Sequence, residues 1–192
     1  MRAISLVHRL FSRVALLAVP ALVACGTGTT LPPPRIENLV DTTTLYALSG
    51  TSIHLPSGFD VVSGTAVRTD RDYPLDFAFD LDTAGTATLW PAGMLGLIGT
   101  PGLLRSDQAF ADVLSAPLDG YVSDSLLIVD EGAVFVARSR ASSSLCTLSS
   151  SLPRYGKFHV LAIDRQARSV TLEFLVDQNC GYRGLEPGLP TQ

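Results

Sequence analysis

Leu75, Phe77, Phe79 and Leu81 alternate with Asp76, Ala78, Asp80 and Asp82. Successive side chains of a strand point to opposite faces, so this period of two predicts an extended strand with one apolar and one acidic face. Residues 82–86 supply turn chemistry and residues 87–90 a second apolar run, which together read as a hairpin. The same signal recurs at residues 126–129 and 133–138 around Asp130-Glu131-Gly132. It recurs again at 158–163 and 170–176, and at 59–62 and 65–68 around Ser63-Gly64. In the 170–176 run, Val170, Leu172, Phe174 and Val176 fall on one side. Hairpins need no crossover helix, so the expected fold is all-β, with antiparallel, hairpin-rich sheets. One segment departs from this pattern. Ser106 is placed as an N-cap, Phe110, Val113 and Leu114 follow at helical spacing, and Pro117 bars continuation, which predicts one short helix near 106–115. Residues 93–102, with four glycines, read as a mobile apolar loop, and residues 142–151 as a serine-rich loop.

Before this body the chain has a different character. Residues 1–13 carry Arg2, Arg9 and Arg13 and no acid, and residues 14–24 are continuously apolar. A basic start and a short apolar run make a secretory signal peptide over 1–24; the run is about half the ~20 residues of a membrane span. Leu22-Val23-Ala24-Cys25 resembles the lipobox of bacterial lipoproteins. That resemblance implies cleavage before Cys25, acylation of its thiol, and a domain held on a bilayer of the cell envelope through the acyl chains. Residues 25–40, with Gly, Thr and Pro32 to Pro34, read as a lipidated flexible tether, and residues 41–190 as a single domain.

Charge narrows the partners. Three of the 14 basic residues and none of the 18 acidic ones fall within 1–24, leaving 11 basic against 18 acidic, near −7. Lys157 is the lone lysine. Nothing here builds a polybasic face for nucleic acid or anionic lipid. In an oxidising compartment Cys146 and Cys180 are expected to pair.

Four stretches resemble the HmuY-like haem-binding lipoproteins. Residues 75–79, Leu-Asp-Phe-Ala-Phe, resemble that family's Trp-Asp-Ile-Ala-Phe strand. Phe110, Val113, Ala116-Pro117 and Gly120-Tyr121 match its Phe-x-x-Val-x-x-Ala-Pro-x-x-Gly-Tyr segment. Residues 133–138 and 155–160 resemble its Val-Tyr-Val-Ile-Arg and Tyr-Ala-Lys-Leu strands. The order agrees over residues 75–176. The resemblance implies a nearly all-β scaffold with a lone helix and a cleft for haem or another apolar ligand. The family's best-known members grip haem iron between two histidines, and others use His or Met differently; beyond the signal this chain offers only His54 and His159, neither in the stretch after Gly120-Tyr121, and Met94.

The residues themselves weigh as follows. His159, between Phe158 and Val160, reads as a core histidine rather than a ligand. His54 and Met94 are the remaining candidate iron ligands, and Trp90 and Tyr121 the candidates to stack on a flat ring. Asp70, Asp72, Asp76, Asp80 and Asp82 spread along the chain instead of converging as calcium requires, and read as a solvated face. Gly-x-Ser-x-Gly, His-Glu-x-x-His and a free-thiol Cys-His pair are all missing, so the chain is expected to be a non-enzymatic binding protein. The alternative is a structural or protein-interaction module on the same scaffold with no small ligand.

Overall fold

The computed structural model describes residues 31–97, 99–141 and 152–190. Ten strands run β1 Val40–Tyr46, β2 Pro56–Asp60, β3 Thr65–Arg68, β4 Phe77–Leu81, β5 Ala87–Pro91, β6 Gly102–Ser106, β7 Leu127–Val129, β8 Val134–Arg138, β9 Tyr155–Asp164 and β10 Ser169–Val176. They form two antiparallel five-stranded sheets, ordered β1-β10-β9-β8-β6 and β3-β2-β4-β5-β7. Among the described residues no helix is long and apolar enough to cross a membrane.

The expected alternations fill the space between the sheets. Phe77, Phe79 and Leu81 from β4 meet Val170, Leu172, Phe174 and Val176 from β10 in one buried cluster. Phe158 of β9 lies at its centre, with ring centroids of Phe135 at 5.0 Å, Phe59 at 5.1 Å and Phe77 at 5.3 Å. Two of these contacts are edge-to-face, each worth about 0.5–1.5 kcal/mol beyond the area it buries. A second, smaller cluster covers the outer face of the first sheet. There Val134, Val136, Tyr155 and Leu175 lie under Val113, Ala116 and Leu185. Residues 110–121 and the chain after Tyr182 therefore form a strap over that face.

Several expectations are corrected. The hairpins at 59–68, 77–91 and 155–176 are present. The one around Asp130-Glu131-Gly132 is not: β7 pairs with β5 in one sheet, while β8 pairs with β6 and β9 in the other. The turn residues carry the chain between sheets. The short helix near 106–115 reduces to one 3-10 turn, Phe110–Asp112: Ser106 ends β6, and Lys157 engages the carbonyls of Phe110 and of Val113, the residue after the turn. The 93–102 loop starts as a second 3-10 turn, Ala92–Leu95.

The stretch expected to be a tether over 25–40 is built into the fold from Leu31 onward. Asn179 Oδ1 accepts the Arg35 and Ile36 N–H groups at 2.9 and 3.1 Å, and Asn38 and Gly188 exchange backbone bonds at 2.7 and 3.0 Å. The prolines keep this segment extended, which suits a strand-like partner. The signal peptide, Cys25 and Cys146 lie outside the described residues.

Candidate functional site

Each sheet ends on one side of the sandwich in a short edge strand, β6 in the first and β7 in the second. What brings these edges together is Gly102. A Cβ there would lie 2.7 Å from the Tyr121 Cβ and 3.3 Å from the Val122 carbonyl oxygen, so only glycine lets Tyr121 and Val122 run this close. Leu103 and Val122 then exchange two backbone bonds of 2.9 Å. Arg105 spans the gap, its Nη1 donating to the Ile128 carbonyl at 2.8 Å.

Between these segments is a groove of about 240 Å³, lined by Leu103, Leu104, Arg105, Val122, Ser125, Leu126 and Leu127. Val122 is 42% exposed, Leu126 38% and Ile128 51%. Arg105 also borders a more polar cleft of about 450 Å³, whose walls include Ser106, Asp107, Asp130 and Glu131. One guanidinium thus stands where an apolar groove meets a polar cleft. This arrangement suits a ligand with an apolar body and a polar end.

The residues nominated from sequence are not gathered. His54 is exposed, and its Nδ1 lies 2.7 Å from the Arg68 guanidinium, which also forms a fork with Asp70. That fork holds the Asp70 carboxyl below its usual range. Trp90 donates from Nε1 to Thr88 Oγ1 at 3.0 Å, and Met94 sits in the 3-10 turn Ala92–Leu95. Tyr121 adjoins the seam through Gly102, but its ring faces the strap cluster. Its hydroxyl donates to Pro117 O at 3.0 Å, the Arg138 guanidinium lies 4.9 Å from the ring, and burial pushes its phenol up. Among the described residues no hydrogen bond, ion pair or ring contact joins one of these four to another. Nor do three or more His, Cys, Asp or Glu converge there as a metal site.

His159 faces outward, not into the core. Its Nδ1 is 3.3 Å from Glu173 Oε2, and its ring lies over Phe110 with centroids 6.2 Å apart. Beside it Lys157, 2% exposed, donates from Nζ to Phe110 O at 2.8 Å and Val113 O at 3.1 Å, with burial lowering its pKa. This lysine fastens the strap. A lone lysine flanked by Gly156 and Phe158 was the sequence signal for it.

The acidic-face reading fails at Asp76. Its carboxylate is buried, accepts the Val61 N–H at 2.8 Å and the backbone Arg140 N–H at 2.7 Å, and forms an ion pair with Arg140 Nη1 at 3.1 Å. Asp60 takes the same guanidinium at 2.9 Å. Burial raises Asp76 to about 6, with Asp60's charge adding to the effect and the hydrogen bonds and Arg140 opposing it. Arg154, bound to Val62 O and Gln178 Oε1, stands nearby and feels Asp60 and Asp177. Asp82 is exposed and caps its own turn through Ala84 and Thr86 N–H.

Comparison with protein-family models, with curated proteins and with solved structures finds no significant match.

Proposed function

We propose that this chain is an envelope-anchored, non-enzymatic binding protein that takes an apolar ligand, haem among the candidates, along the seam between β6 and β7. One observation carries the reading: a groove walled by Leu103, Leu104, Val122, Leu126 and Leu127, with the Arg105 guanidinium at its lip. Exposed apolar walls with one placed polar group are the usual marks of a ligand site. The groove of about 240 Å³ lies under the usual ~300–1,000 Å³ of such sites, so a ligand is only partly covered. Its affinity is then on the order of micromolar, about −8 kcal/mol. The lipobox at Cys25 and the four HmuY-like motifs support the anchor and the ligand class. Bis-histidine ligation of iron is not part of the reading: His54 stands with Arg68 and Asp70, His159 with Glu173 and Phe110, and among the described residues no contact joins the two rings.

The test is a Soret titration with hemin. Saturable binding in the micromolar range is expected, lost in a folded Val122→Asp/Leu126→Asp variant and kept in His54→Ala and His159→Ala. Binding that survives the double aspartate variant, or collapses on removing the histidines, refutes the seam.

The second reading is an interaction module with no small ligand. It is favoured by the meeting of two edge strands, where an extended peptide would add to a sheet. No spectral change at tens of micromolar hemin puts it in front.

A further inference from the structure

We infer that the end of the sandwich carrying Leu31, the start of β1 and the end of β10 rests against the bilayer, with the exposed side chains of Ile36, Leu39, Val40 and Leu189 entering the lipid interface. The inference rests on the anchor part of the reading above, acylation of Cys25.

The strand ends define this end of the molecule. Val40 pairs with Leu175, Val176 with Gly156, Arg138 with Tyr155, and Gly102 with Arg138. The β2–β3 turn lies there too, because a Cβ on Gly64 would meet the Gln178 side chain. At the opposite end are Ser49, Asp80 and the β9–β10 turn, joined by the Arg168 bond to Ser49 O and the Ser49 bond to Asp80.

The N-terminal segment is bolted to the first end. Tyr182 donates to Pro32 O at 2.8 Å, and a Cβ on Gly181 would touch the Leu31 side chain. Asn179 holds residues 35 and 36, and Asn38 pairs with Gly188. Cys25 precedes Leu31 by six residues. Six residues reach at most about 22 Å when extended and about 13 Å as a flexible coil. A domain of this size has a radius of gyration near 15 Å, hence a diameter of about 40 Å. The connection is too short to let the opposite end turn toward the membrane, and it brings the Leu31 end down to the surface.

What that end presents fits the interface. Leu39 is 71% exposed and Leu189 53%, and they flank the Asn38–Gly188 bridge. Ile36 and Val40 are exposed beside them. The nearby charges are mixed, with Arg35 against Glu37 and Asp41. Contact therefore depends on apolar insertion and not on anionic lipid, and is expected to be insensitive to salt.

The test uses the full acylated chain in phosphatidylethanolamine–phosphatidylglycerol vesicles with brominated acyl chains. Trp90 is kept as a common background, and tryptophan is added by Leu39→Trp, by Leu189→Trp, or at the far end by Ile53→Trp. The added emission at positions 39 and 189 is expected to fall at least twofold and shift to the blue on reconstitution, equally in 50 and 500 mM salt, while that at position 53 stays unchanged. Acylated, vesicle-bound protein with unquenched emission at both 39 and 189 overturns the inference and leaves the anchor standing. A Cys25 peptide without acyl mass overturns both.

Discussion

Asp76 gives the sharpest energetic prediction. Its carboxylate is enclosed by Val61, Arg140 and Asp60, and burial lifts its pKa from 3.8 to about 6. A carboxyl whose pKa is raised on folding binds its proton more tightly in the folded state. The folded protein is therefore most favoured by this group at low pH and loses that advantage as pH climbs from about 4 through 6. The difference of roughly two pH units corresponds to about 3 kcal/mol, at 1.36 kcal/mol per unit. Asp177, also raised by burial, acts in the same direction. Asp76→Asn removes the titration while keeping one acceptor for the Arg140 or Val61 N–H. Near pH 4 the amide replaces a protonated acid of the same shape, so the two proteins are expected to be similar. Urea unfolding at half-unit steps from pH 4 to 7.5 then measures the change. The variant-minus-parent stability is expected to move about 3 kcal/mol in favour of the variant between pH 4 and 7. Parallel curves refute the reasoning, because they mean that Asp76 titrates alike folded and unfolded.

Three further outcomes follow from named contacts. Lys157→Met strips the Phe110 and Val113 carbonyls of their donor; a loss of about 1–3 kcal/mol is expected, with faster amide exchange across residues 110–116, and unchanged exchange there contradicts the strap's fastening. Gly102→Ala drives a Cβ into Tyr121, costing about 1–3 kcal/mol in denaturant midpoint measurements and splaying the seam; a neutral effect contradicts the close approach. Pairing of Cys146 with Cys180 closes a 35-residue loop, worth about 3–4 kcal/mol in the chain-entropy model; a non-reduced peptide map should contain the linked pair, and two alkylatable thiols in envelope-purified protein contradict it.

The fold was legible where the information is local. The alternation at 75–81 and the run 170–176 declare both an extended backbone and a core face, because period two leaves no other geometry. What lay out of reach was pairing across distance. Asp130-Glu131-Gly132 turns the chain equally well into a hairpin or across to the other sheet, and the choice rests on β5 and β9, which occupy the neighbouring positions. Asp76 carries no local mark of burial; its partner Arg140 is 64 residues away. Residues 31–39 announce an extended backbone through their prolines, but their partners lie at 179–188. The seam was hidden for the same reason. Gly120-Tyr121 directed attention to the stretch beside the groove, while the groove itself needs Gly102 and β6 to be placed against it.

Hydrogen exchange read by mass spectrometry, with and without saturating hemin, tests the seam most directly. Slowed exchange is expected at residues 102–106 and 122–129, where a ligand would shield β6, β7 and the segment between Val122 and Leu127. Protection centred on His54 and Arg68, or on His159 beneath Phe110, with the seam unaffected, would contradict it.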